Sequence, residues 1–285
     1  MLLEIAIGDA YGAGFEFAPK EFVEEFNTLE QYVDNPKFKS NNTGLYTDDT
    51  QQSLAISELL LQHEEWTPII IADKLVEVYK RDPRSGYGKG SRIALKQADN
   101  GQEFLDIIHG TSDRCGAAMR SMPIGILNSV WEVIGKTYIQ ASVTHNSDDG
   151  ITSAIISSLM VHYFSHNLGD KKNLPRWLFN YVGETWLRNK WAGDIVSTNG
   201  IECVHAALTS IINNDNLSEV LKECISYSGD VDSVASIALA AASYSQEIDN
   251  NLPQVLIDNL ENDTYGRDYL IKLDDRLRSV LYASN

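Results

Sequence analysis

The chain has 285 residues, 43% of them hydrophobic and 22% charged, a balance that argues against disorder and leaves enough apolar side chains for a sizeable core. Its 40 acidic and 23 basic residues give a formal net charge of −17, a field that opposes binding to nucleic-acid phosphates. No apolar stretch is long enough to span a bilayer and no charged-then-apolar leader precedes the first polar motif, so a cytoplasmic protein without membrane or nucleic-acid partners is the expectation.

Apolar residues recur at helical spacing along the chain. Leu54, Ile56, Leu59, Leu60 and Leu61 predict a helix over Ser53–Gln62, and Ile69–Tyr79 repeats the pattern. Further helices are predicted over Ile151–Phe164, Pro175–Trp186, Ile201–Ile212 and Val234–Ala242. The last begins VASIALAAAS, rich in small residues that let neighbours approach, which predicts a central helix with others packed around it. Polar or glycine-rich stretches at Asp34–Gly44, Asp82–Ser91, His109–Gly116, Asn167–Asn173 and Lys190–Gly200 separate the helices. Period-two strands are scarce and none of the connections reads as a long linker. The expectation is therefore an all-α, compact helical bundle, one domain over residues 1–285. Cys115, Cys203 and Cys224 lack the spacing of a metal motif and, being odd in number, do not read as a disulfide framework.

Chemistry concentrates in two stretches. In GLYTDDTQQSLAIS, Gly44–Ser57, two adjacent aspartates and two threonines stand where a helix meets the core. In SGDVDSVASIALA, Ser228–Ala240, Asp230 and Asp232 are followed at once by Ser233. Adjacent carboxylates repel, and the more so when desolvated. One reading is that these residues cap two helices. The other is that Thr47, Asp48, Asp49, Asp230, Asp232 and Ser233 form an all-oxygen set suited to Mg²⁺ or Mn²⁺, with four carboxylates balancing two divalent ions.

YTDDTQ and SGDVDS resemble the paired signatures of the ADP-ribosylglycohydrolase family. GDAYGAGFE (Gly8–Glu16) is similar to its opening motif, SGYGKGS (Ser85–Ser91) to its glycine-rich loop, and CGAAMRSMPIG (Cys115–Gly125) and SVTHNSDD (Ser142–Asp149) to its middle motifs. The resemblance implies a compact all-α fold with a two-Mg²⁺ centre (Mn²⁺ as substitute) that cleaves the bond between the distal ribose of ADP-ribose and a modified side chain or small leaving group. It makes Thr47, Asp48, Asp49, Asp230, Asp232 and Ser233 the metal ligands. Glu16 becomes the carboxylate beside the scissile bond, with Asp48 or Asp49 sharing proton transfer. Ser112 and the amides around Gly116, Ala117 and Ala118 would cradle the diphosphate at a helix start, and Cys115 would lie in the same substrate-binding stretch. Met119 and Arg120 would support that loop from below, Gly88 would approach the ligand closely, and His145 would bind near the distal ribose.

The chain departs from that pattern at Arg114 and Cys115, where the family commonly has glycine and asparagine. Ser233 and Val231 stand for threonines, and Asn146 for a proline. The implied partner is an ADP-ribosylated protein or a small ADP-ribosyl conjugate, arginine adducts first, then serine adducts or O-acetyl-ADP-ribose. A catalytically silent binder of ADP-ribose and a two-metal phosphohydrolase are the competing functions.

Overall fold

Two glycines bring the first helix, α1 (Leu2–Ala13), onto the backbone of its neighbour. A Cβ at Gly8 would stand 2.8 Å from the Ala235 carbonyl carbon, and one at Gly12 would stand 2.4 Å from Asp232 Cα. The computed structural model describes residues 1–38, 43–62 and 65–282, the last three of them as backbone only; part of the expected loop Asp34–Gly44 lies outside them. After α1 come α2 (Lys20–Phe26), α3 (Asp48–Gln62), α4 (Pro68–Arg81), α5 (Lys89–Gln97) and α6 (Gly101–Ile107). A 3₁₀ turn at Cys115–Ala117 leads into the single-turn α7 (Ala118–Ser121). The chain continues through α8 (Val130–Ser142), α9 (Asp148–Ser165), α10 (Leu174–Val182), α11 (Gly200–Asn213), α12 (Leu217–Ser226), α13 (Val231–Ala242), α14 (Gln254–Asn259) and α15 (Arg267–Tyr282). Among the described residues extended pairing is confined to isolated bridges, so the fold is all-α.

The small-residue helix is central: every residue of α13 is buried, and α1, α9, α11 and α12 pack around it. Alanine and serine there let the neighbouring axes come close enough for backbone-level contact. The predicted helix over Pro175–Trp186 breaks at Gly183, whose φ of +74° ends α10 in a left-handed cap before a 3₁₀ turn at Thr185–Arg188. Lys89, placed in a loop by its flanking glycines, opens α5. Helix α3 begins earlier than its apolar spacing predicts, so Asp48 and Asp49 occupy its first turn. There the free amides and the macrodipole favour carboxylates. No helix among the described residues is long and apolar enough to cross a membrane.

Candidate active site

The first turns of α3 and α13 meet and bring the two acidic stretches together. The Ser233 hydroxyl donates to both carboxylate oxygens of Asp49, at 3.2 and 3.1 Å, across 184 positions of sequence. Oxygens of Glu16, Asp230 and Asp232 lie within 4.8 Å of one another. Asp49, Asp230, Asp232 and Ser233 are buried.

Each acid is placed by local backbone. Ser228 (φ +58°) and Gly229 (φ +94°) turn the chain into α13, where the Asp230 amide donates to the Val196 carbonyl at 3.0 Å. A Cβ on Gly229 would meet that same carbonyl oxygen at 1.9 Å, so only glycine fits. The Asn35 amide donates to the carbonyls of Ala13 and Glu16, at 3.0 and 2.9 Å, and the Phe17 amide donates to Gly229 at 2.8 Å. These bonds hold the Glu16 segment against the start of α13.

Burial raises the pKa of every acid in the group, and repulsion from neighbouring carboxylates adds to it for Glu16, Asp48, Asp49 and Asp232. Asp48, Asp49 and Asp232 are pushed well above the usual carboxylate range, and Glu16 up to about 7 by burial first, then by Asp230 and Asp9. Asp232 Oδ1 is buried with no hydrogen-bond partner among the described residues. An orphaned carboxylate oxygen facing other carboxylates and hydroxyls is what a hard divalent cation satisfies. The donor set fits Mg²⁺ or Mn²⁺.

A cavity of about 630 Å³ opens over this cluster. Of the residues expected to bind substrate, Gly88, Ser112, Cys115, Gly116, Met119 and His145 line it, alongside Glu16, Asp48, Asp49, Asp230, Asp232 and Ser233. Thr47 and Ala117 do not. Thr47 sits one step deeper, its hydroxyl donating to Asp9 at 2.7 Å, while Ala117 packs against Ala141 and Ala154. The helix expected after the Gly116–Ala118 amides is the single turn α7, entered through a 3₁₀ turn. Gly88 faces the open cavity, with no protein atom near a Cβ there, while its neighbour Gly86 (φ +94°) lies against the cluster, where a Cβ would stand 2.0 Å from Asp48 Oδ1. Leu75, Ile93, Leu95, Phe104 and Ile107 give the cavity its apolar lining.

Two supports have partners that the sequence does not give. Asp9, fully buried, accepts from the amides and hydroxyls of both Thr47 and Thr50 at 2.6–2.9 Å, so it caps α3 from another helix. It lies in the quoted GDAYGAGFE, but nothing there distinguishes it from a solvated acid.

Arg120 is the second support. It is 1% exposed and donates to Gln52 Oε1 (2.8 Å), to Gln140 Oε1 and its carbonyl (2.6 and 2.9 Å) and to the Thr144 hydroxyl (2.8 Å). Gln52 in turn donates to Asp48 at 3.2 Å. Because Thr144 accepts from Arg120, its proton is free for His145 Nδ1, 2.6 Å away, which assigns the remaining proton of a neutral ring to Nε2. His145 is neutral: burial first, then Arg120 and Arg114, lower its pKa to about 3. Arg120→Met is expected to cost about 2–3 kcal/mol in denaturant unfolding, by stranding these buried acceptors.

Cys115 and Cys203, unrelated by spacing, also meet here. Their sulfurs and an Asp230 oxygen lie within 4.8 Å of one another, and the Cys203 thiol donates to Asp230 at 3.5 Å. Cys224 lies elsewhere, with its thiol against the Val234 carbonyl.

Known proteins resemble this chain in sequence and in fold. The chain is 25% identical to the ADP-ribosylarginine hydrolase Tri1 of Pseudomonas putida over 85% of its own length and 69% of that protein's. It is 26% identical to the ADP-ribosylhydrolase ARH3 of Mus musculus over 62% of its length, spanning about half, 51%, of that relative. A solved structure described as an ADP-ribosylglycohydrolase-related protein complex shares the fold, with a TM-score of 0.75 at 19% identity, covering 98% of this chain and 96% of the other. The ADP-ribosylglycohydrolase family model matches residues 1–284, and the chain belongs to the ADP-ribosylglycohydrolase family.

Proposed function

We propose that the protein is a Mg²⁺-dependent hydrolase that cleaves the glycosidic bond between ADP-ribose and a modified side chain, arginine first, and releases ADP-ribose. The observation that carries this reading is the buried oxygen cluster with its orphaned Asp232 Oδ1 beside Glu16. Thr47, Asp48, Asp49, Asp230, Asp232 and Ser233 would hold two divalent ions. Such ions, when bound, fix and polarise substrate oxygens.

The chain's own groups supply the rest. Glu16, on the rim of the cluster, gives or takes the proton at the scissile bond, as glycosidic cleavage through an oxocarbenium-like state requires. Neutral His145 offers a hydrogen bond without adding charge. The apolar lining from Leu75, Ile93 and Phe104 suits the flat base at the far end of the ligand, and the cavity volume fits a dinucleotide-sized molecule. Arginine adducts are ranked ahead of serine adducts and O-acetyl-ADP-ribose by analogy with family members. The relative named an ADP-ribosylarginine hydrolase supports the same order.

The test incubates the protein with ADP-ribosyl-arginine, ADP-ribosyl-serine and O-acetyl-ADP-ribose, each with Mg²⁺ or chelator, and measures free ADP-ribose. Mg²⁺-dependent release, greatest from the arginine adduct and lost in Asp48→Asn, is expected. Binding without release from any of the three would mark a silent binder. AMP as product would mark a phosphohydrolase.

A further inference from the structure

Beside the oxygen cluster lies a second, chemically different donor set. Cys115 follows α6 in the connection to α7, Cys203 lies in the first turn of α11, and Asp230 stands at the N-cap position of α13 without a side-chain capping bond. All three are buried, at 3%, 0% and 7% exposure. Their ligand atoms, two sulfurs and a carboxylate oxygen, lie within 4.8 Å of one another. The Cys203 sulfur already contacts Asp230 at 3.5 Å and the Ser197 carbonyl at 3.5 Å.

We propose that Cys115, Cys203 and Asp230 form a binding site for a thiophilic divalent cation of the Zn²⁺ class, and that filling it withdraws Asp230 from the oxygen-ligated centre. Two thiolates and a carboxylate suit Zn²⁺ or Cd²⁺, whereas the neighbouring all-oxygen set suits Mg²⁺. Tetrahedral ligands at Zn–S distances of about 2.3 Å stand roughly 3.5–4 Å apart, so the observed separations need only small side-chain movements. Entry is open, because Cys115 lines the cavity. On binding, two S–H bonds break, two metal–sulfur bonds form and two protons leave to solvent, with no change of oxidation state. The site then carries one net negative charge, and its fourth position is free for a water from the cavity. Asp230 serves one set or the other. The same protein therefore binds Mg²⁺ for its proposed reaction and is silenced by a soft metal.

The experiment does not depend on activity. Co²⁺ is titrated into chelator-stripped, reduced protein while the thiolate-to-cobalt charge-transfer band in the near ultraviolet is followed; cobalt held by oxygens alone lacks this band. Wild type and Cys224→Ala are expected to develop the band at one equivalent, with Zn²⁺ bleaching it. Cys203→Ser and Cys203→Ala, each checked by circular dichroism for an intact fold, are expected to lose it. A wild type without the band at saturation, a band kept in either Cys203 variant, or its loss in folded Cys224→Ala overturns the site. Bound Mn²⁺, counted by electron paramagnetic resonance, is expected to fall when one equivalent of Zn²⁺ is added to wild type and to stay level in Cys203→Ser. Unchanged Mn²⁺ occupancy in wild type overturns the sharing of Asp230.

Discussion

Glu16→Gln is expected to lower kcat by about 10²–10⁴-fold, the usual contribution of a positioned acid or base, while the affinity for ADP-ribose stays near that of the parent. The amide keeps the shape of the carboxylate and its polarity but cannot move a proton at the scissile bond. Position is preserved too, because the segment is held through backbone: Asn35 binds the Glu16 carbonyl and the Phe17 amide binds Gly229. Phe17 stands at φ +49°, uncommon for a side chain of its size. Backbone strain of this kind persists only where surrounding contacts over-determine it. The oxygen donors of Thr47, Asp48, Asp49, Asp230, Asp232 and Ser233 remain in the variant, so cation binding is expected to continue. Release of ADP-ribose gives kcat and calorimetry gives the affinity. Unchanged hydrolysis would remove Glu16 from the reaction, and a matching loss of affinity would make it a binding residue.

The legible parts of the site share one property, which is that their meaning lies within a short window. TDDT and GDVDS announce donors by composition, and VASIALAAAS announces a central helix by its small residues. Asp9 and Arg120 have no such window. Asp9 acts on Thr47 and Thr50 in another helix, and Arg120 joins Gln52 to Gln140 and Thr144, so each is defined by partners that only the fold supplies. The same holds for Cys203, whose neighbours Cys115 and Asp230 come from two other parts of the chain. Helix α1 was obscured for a different reason. Gly8 and Gly12 weaken a helix on propensity, yet here they are what lets α1 lie on α13, and that packing offsets the cost. Gly183 misled in the opposite sense, because apolar periodicity runs through it while its left-handed conformation stops the helix.

The second large effect is on stability. In metal-free protein, Glu16, Asp48, Asp49 and Asp232 have folded pKa values above their ordinary 4.5 and 3.8, with burial the first cause in each. A raised carboxyl means that the folded state holds protons the unfolded chain has lost. Stability from these groups is therefore complete below their ordinary values and drains away as pH rises through the folded ones, which for Glu16 means about 7. Histidine opposes this at lower pH. His145, lowered to about 3, and His162, lowered to about 4, contribute stability that grows up to their ordinary 6.5 and is constant above it. The histidine contribution is nearly complete by about pH 7.5, while that of Glu16 is lost as pH rises through about 7 and the raised aspartates add to the loss. The melting temperature of chelator-treated protein is therefore expected to be lower at pH 8.0 than at pH 6.5. Divalent cations replace the missing protons. At 100 times Kd each of two sites contributes about 2.7 kcal/mol, so Mg²⁺ is expected to raise the melting temperature by roughly 10 °C or more, most at pH 8.0, and to flatten the pH dependence. Differential scanning fluorimetry with Mg²⁺ and with chelator reads both effects. Asp232→Asn removes one of the crowded charges and a proposed cation ligand, so it should melt higher than wild type in chelator and gain less from Mg²⁺. A wild type that melts at the same temperature at both pH values, with and without Mg²⁺, would mean that the acidic cluster is stabilised by something other than a cation.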